Sequence, residues 1–180
     1  MKKALKITGI VVLILIAVPL IVALFVKKKY DVECEVTINK PKSEVYDYVK
    51  FLKNQDEYSV WLKMDPNAKK DYKGTDGTVG FVSAWSSDNK DLGKGEQEIT
   101  GIKDGERIDY ELRFIEPFES TEKAYMAFES PDSASTKVKW GFNGKMNYPM
   151  NLMMLFMDMD GMISKDLQTG LDEMKKILEK

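Results

Sequence analysis

The sequence predicts an α+β architecture: an antiparallel sheet built as a meander, closed by one long C-terminal helix, and preceded by a single membrane-spanning helix. Three observations predict it. A charge-free apolar run opens the chain, apolar residues alternate at period two through its middle, and they recur at three- and four-residue steps near its end.

The opening run is Ile7 to Val26, ITGIVVLILIAVPLIVALFV, 20 residues without a charge. At 1.5 Å per residue it spans roughly 30 Å, the thickness of a hydrocarbon core. Lys2, Lys3 and Lys6 precede it and Lys27, Lys28 and Lys29 follow it, as interfacial anchors do. Pro19 is tolerated in a membrane helix. A cleaved signal peptide is the rival reading, but its apolar region is shorter and ends in small residues. This run ends in Leu24-Phe25-Val26-Lys27, so an uncleaved anchor is expected. Lysines stand in equal number on both sides, so the positive-inside rule favours neither orientation. The short basic tail suits a signal anchor with its N-terminus in the cytoplasm.

The rest of the chain is acidic. Residues 31–180 hold 21 basic and 29 acidic residues, a net charge of −8. That argues against nucleic acid, which needs a basic footprint, and against this part lying flat on anionic lipid. The single cysteine, Cys34, excludes an intrachain disulfide. The chain has no histidine, which excludes Ser-His-Asp and Cys-His catalysis and the usual zinc sites within one chain. No metal or cofactor is expected.

Asp31 to Asn39 alternates Val32, Cys34, Val36 and Ile38 with polar residues, a half-buried strand. Pro41 suits a helix start, and Val45, Val49 and Leu52 recur as one apolar face. A second short helix or turn is expected through Tyr58 and Trp61, ended by Asp65-Pro66-Asn67. After the turn at Thr75-Asp76-Gly77, Val79, Phe81, Ser83 and Trp85 share a strand face. Strands follow over 92–102, 107–115 and 122–129, and around Val138, Trp140 and Phe142, with Lys103-Asp104-Gly105 and Pro131-Asp132-Ser133 as turns. The final helix is expected to begin near Pro149. Ile163, Leu167, Leu171, Met174 and Leu178 form its stripe. Gly161 and Gly170 interrupt it, which a close approach to the sheet, or a bend, would explain.

At Val36-Thr37-Ile38-Asn39-Lys40-Pro41 followed by Glu44-Val45-Tyr46, the chain resembles the SRPBCC superfamily of START-like and polyketide cyclase-like proteins. Further cues are Gly93-Lys94-Gly95-Glu96 with Ile99, Gly105-Glu106-Arg107-Ile108 with Tyr110-Glu111-Leu112, and Thr136-Lys137-Val138-Lys139-Trp140. The end, Gly170-Leu171 with Met174-Lys175, is similar to membrane-anchored bacterial members. The resemblance covers residues 31–180. It implies a helix-grip fold, in which a curved sheet wraps the long helix around an apolar cavity. Residues 1–29 are then the anchor, in a bacterial cell membrane, and residues 30–180 the START-like domain.

The candidate ligand-binding residues follow from pattern and position. Trp85, Tyr110, Phe114 and Trp140 fall on alternating strand positions, where they either line a pocket or fill a core. Seven of the eleven methionines lie between Met146 and Met162. Met153 and Met157 would border the cavity mouth as a plastic wall, although core packing or bilayer contact explains the same excess. No catalytic residue is expected. Asp158 and Asp160 stand two apart, which on a helix does not bring carboxylates together. Glu96, Glu98, Glu111 and Arg113 alternate as a solvated face does, and Cys34 reads as a structural thiol. Three functions remain open: a binder of an apolar small molecule or lipid, a membrane-tethered interaction module, or a cyclase- or hydrolase-type enzyme.

Overall fold

The computed structural model describes residues 2–180. The chain divides into two compact units, Met1–Tyr30 with Gly144–Met159, and Asp31–Asn143 with Asp160–Lys180. The first holds helix α1 (Lys2–Phe25) and a 3₁₀ helix, Met150–Leu155. Within that unit, the Asn151 side-chain amide donates to the carbonyls of Ala23 (2.7 Å) and Val26 (3.0 Å). The Met146 amide donates to the Lys28 carbonyl at 2.8 Å.

The second unit is built on a seven-stranded sheet. In chain order the strands are β1 (Lys29–Ile38), β2 (Lys69–Lys73), β3 (Val82–Ser86), β4 (Lys94–Lys103), β5 (Arg107–Glu116), β6 (Ser120–Glu129) and β7 (Thr136–Lys145). Their order across the sheet is β1-β7-β6-β5-β4-β3-β2. β2 to β7 form an antiparallel meander, and β1 closes against β7. Register shifts at Lys94/Gly95 and Ile99/Gly101 put bulges into the β4–β5 ladder, and bulges bend and twist a sheet.

Between β1 and β2, which form opposite edges, run helix α2 (Lys42–Val49), a 3₁₀ turn (Leu52–Asn54), and the one-turn helices α3 (Gln55–Tyr58) and α4 (Val60–Lys63). The Asp76 carboxylate accepts from the backbone amides of Leu52 (2.7 Å) and Lys53 (3.2 Å). It thereby caps the start of the 3₁₀ turn, whose first amides lack intrahelical partners.

The closing helix α5 spans Met159–Leu178. Leu167, Leu171 and Met174 are fully buried in one core with Ile38, Val45, Ile99, Ile108, Met126 and Val138. Gly170 lies under the Trp140 indole: a Cβ there would sit 2.8 Å from Cζ3 of the ring and 3.3 Å from the Tyr58 carbonyl oxygen. The close approach expected at Gly170 is therefore present.

The sequence reading differs from the fold in three places. Val79 and Phe81 precede β3, with Val79 exposed in a turn between Gly77 and Gly80, both of positive φ. β2, Lys-Lys-Asp-Tyr-Lys, has no apolar alternation, because it is an edge strand with exposed side chains on both faces. The last helix begins at Met159 rather than near Pro149, because Asn151 is drawn onto the end of α1 and the chain coils there as 3₁₀.

Gly170→Val should cost about 1–3 kcal/mol, the usual range for forcing extra carbons into a packed core. The denaturation midpoint should fall while the m value stays unchanged. An unmoved midpoint would mean that the Trp140 ring yields freely.

Candidate functional site

Strand register places the inward-facing residues in rows. Trp85, Gly95, Phe114 and Ser120 form one row, and Ser83, Gln97, Leu112 and Glu122 the next. Ile99, Tyr110, Ala124 and Phe142 follow, then Ile102, Ile108, Met126 and Trp140. Four of the sequence-derived candidates, Trp85, Tyr110, Phe114 and Trp140, thus share one face of the sheet. Tyr110 and Trp140 are buried within the core. Trp85 and Phe114 are half-buried and meet edge to face at 6.0 Å. The Trp85 indole donates to the Leu92 carbonyl at 3.2 Å, and its ring lies where a side chain on Gly95 would stand, 2.5 Å from a Cβ there. Met153 and Met157 belong to the unit that contains α1.

Around Trp140 the aromatic packing is dense. Its ring meets Tyr58 at 5.7 Å and Trp61 at 6.3 Å, both edge-on. Tyr58 and Tyr110 are buried, and burial pushes both phenols well above their ordinary value of 10. A charge on Tyr110 would further oppose ionisation of Tyr58. Among the described residues, no hydrogen bond reaches either hydroxyl.

Two polar residues escaped the sequence reading. Gln97 is 7% exposed and Glu122 is 5% exposed, both on this inward face. Leu112 stands between them in register, so their strands are about 10 Å apart. The Gln97 side-chain amide also has no hydrogen bond among the described residues. The signal was parity: Gln97 matches Ile99, and Glu122 matches Ala124, Met126 and Phe128. A lone polar residue at the end of an apolar strand face was easily read as fraying.

The outward face uses its charges structurally. The Arg113 guanidinium bonds Glu96 (2.5 Å), Glu111 (2.7 Å) and Glu98 (2.8 Å), and these hydrogen bonds, led by the one to Glu96, hold its proton more tightly than usual. Glu96, Glu98 and Glu111 are thus engaged on the far side of the sheet from Tyr110. Cys34 is half-buried and its thiol donates to the Ser164 carbonyl at 3.3 Å. Burial raises the thiol's pKa, which suppresses the thiolate that reactivity needs.

No protein-family model matches this chain, and no curated protein sequence does. Solved structures do. Norcoclaurine synthase from Thalictrum flavum, in complex with dopamine and hydroxybenzaldehyde, superposes with a TM-score of 0.61 at 10% identity, covering 83% of this chain and 86% of that one. Ara h 8.0201 gives 0.54 at 14% identity, over 83% and 97%. The Aha1 dimer from Colwellia psychrerythraea gives 0.57 at 12% identity, over 83% and 96%. At these identities the likeness defines the fold. The chain has the helix-grip, Bet v 1-like fold: a curved antiparallel sheet with a C-terminal helix.

The two buried phenols make alkaline stability a direct readout of this face. Their folded pKa values lie above the unfolded value of 10, so the unfolded chain loses these protons first. Their contribution is complete below pH 10 and is lost as pH rises above it, at about 1.4 kcal/mol per pH unit for each phenol. In denaturant titrations between about pH 9 and 12, the double variant Tyr58→Phe/Tyr110→Phe should show a clearly shallower loss than wild type. Equal slopes would place both phenols in contact with water.

Proposed function

We propose that this protein is a membrane-anchored binder of an apolar small molecule or lipid, held on the inward face of the sheet against α5, and that it is a member of the SRPBCC superfamily. One observation carries the reading. The inward face, largely apolar but carrying Ser83, Ser120 and Glu122, presents the Tyr110 phenol and the Gln97 carboxamide, with Tyr58 of α3 packed on it, and these three side chains have no hydrogen-bond partner among the described residues. Their polar atoms are not fully enclosed by the protein, and polar groups in a largely buried setting take partners, which water or a ligand can supply here. An apolar molecule with one or two polar atoms meets both demands, which is how small-molecule sites are usually built. Trp85, Phe114 and Trp140 supply aromatic surface, and Tyr110 and Gln97 supply polar contacts. The fold supports the reading, since the norcoclaurine synthase structure holds dopamine and hydroxybenzaldehyde.

The anchor reading rests on α1. Lys6–Phe25 is long and apolar enough to cross a membrane, and little of it is buried within the protein. Asn151, which has no exposed surface, caps its final carbonyls. These two bonds tie the end of the apolar run to the 3₁₀ segment, which favours a retained helix over a cleaved signal peptide. Residues 1–29 serve as anchor and residues 30–180 as the binding domain, and the basic N-terminal tail suits a cytoplasmic N-terminus.

Native mass spectrometry of the full chain, extracted with its surrounding membrane, should detect a co-purifying small molecule. Gln97→Leu should lower its retention about 2–10-fold, the effect of one hydrogen bond of about 0.5–1.5 kcal/mol. Ala124→Trp, which puts a large ring on the register partner of Tyr110, should abolish retention. Repeated recovery of nothing above background from wild type would defeat the binder and favour a self-filled interaction module.

A further inference from the structure

We propose that the methionine-rich 3₁₀ segment is a second membrane contact, an interfacial wedge that seats in the headgroup–acyl boundary of the bilayer that α1 crosses. The proposal rests on the reading of α1 as a membrane span. It arises from three observations independent of the inward face of the sheet.

The first is geometry. A 3₁₀ helix has three residues per turn, so side chains at i and i+3 eclipse. Met150, Met153 and Phe156 therefore stand in one row, and all three are exposed, Phe156 by 83%. Asn151, Met154 and Met157 form the neighbouring row, and these are buried or half-buried. The short helix is amphipathic, but its outward row is the apolar one. Tyr148 and Leu155 extend the exposed apolar surface. Water is an expensive neighbour for such a patch, and patches of this kind mark docking surfaces.

The second is position. Asn151 bonds Ala23 and Val26, and Met146 bonds Lys28. Val26 is the last apolar residue of the span and Lys27–Lys29 follow. Lysines bracketing a span mark the level of the headgroups. The segment is thus hydrogen-bonded to the part of α1 that lies at the interface.

The third is charge. Residues 146–157 carry none. The unit formed by Met1–Tyr30 and Gly144–Met159 contains seven lysines and one aspartate, net +6, while the other unit is net −8. Basic residues near an anionic leaflet contribute about 1 kcal/mol each. Lys2, Lys3 and Lys6 stand before the span, so on the segment's side Lys27, Lys28, Lys29 and Lys145 count against Asp158, net +3. Anionic lipid suits this surface, and a second copy bringing another net +3 to it does not.

The test uses the full chain in vesicles of phosphatidylethanolamine and phosphatidylglycerol. In a Cys34→Ser background, an environment-sensitive fluorophore is attached after Phe156→Cys, after Ile14→Cys, or after Ser133→Cys. Phe156 and Ser133 are exposed, so labelling there should not disturb the fold. Lipids brominated near the glycerol end of the acyl chain should quench the position-156 label several-fold more than the position-133 label. Lipids brominated deep in the chain should quench the position-14 label. A deep position-14 label with a water-exposed position-156 label would overturn the wedge and leave the anchor standing. A position-14 label outside the bilayer would overturn both. A position-156 label shielded from water but not quenched by lipid, with shielding that rises with protein density, would assign the surface to a second copy and overturn the wedge.

Discussion

The contact between Gly170 and the Trp140 indole sets the distance between the long helix and the sheet. A single carbon on residue 170 would collide with the ring and approach the Tyr58 carbonyl. Because the helix can come this close, Leu167, Leu171 and Met174 reach full burial. The same approach lets α5 bond β1 directly: the Cys34 thiol donates to the Ser164 carbonyl, and the Lys175 ammonium to the Thr37 carbonyl at 2.8 Å. Trp140, pinned between helix and sheet, in turn holds Tyr58 and Trp61 edge-on. The inward aromatic face therefore owes its geometry to the absence of one Cβ, and loosening that seat would move Tyr58 as well as the helix.

The two faces of the sheet handle polarity in opposite ways. Outward, charges are matched: Arg113 with three glutamates, Lys137 with Glu35, and Lys139 with Glu129, while the Tyr125 hydroxyl donates to Glu33. Single exposed pairs of this kind add little stability, and only the Arg113 network has the multiplicity to do more. Inward, the core is apolar apart from a few groups, and Tyr58, Tyr110 and Gln97 lack partners among the described residues. Glu96, Glu98, Glu111 and Arg113 are therefore held on the solvated side, and Glu122 is the carboxylate that turns inward among the rows containing Trp85, Tyr110, Phe114 and Trp140.

The fold was largely legible because period-two alternation and the 3.6-residue stripe are strong where one face is buried. Ile108, Tyr110, Leu112 and Phe114 alternate cleanly, and β5 appears where they predict it. β2 left no such trace because edge strands need no apolar face. Trp85, Tyr110, Phe114 and Trp140 were readable as inward, since parity alone decides that. Gln97 and Glu122 share that parity, but composition gives no reason for a polar side chain to turn inward, and the register with Leu112 is what places them there. The start of the last helix was misplaced for a different reason. Methionines are good helix formers, and nothing local announces that Asn151 will bond the end of a helix 125 residues away in the chain.

That long-range bond bears on why the segment is methionine-rich at all. A 3₁₀ stretch of six residues is too short to hold itself together in water, since its hydrogen bonds are poorly aligned and few. It is held at one side by Asn151, whose amide satisfies carbonyls that the end of α1 would otherwise leave open. The other side presents Met150, Met153 and Phe156 outward. Rigid branched side chains would demand a shaped partner there, whereas unbranched thioethers adapt to a surface that has no fixed shape. Fluid acyl chains are such a surface. The flexibility that suits Met153 and Met157 to a plastic wall for a small ligand suits lipid equally well, and the proposed membrane contact rests on the hydrogen bonds that join this segment to the end of the apolar helix.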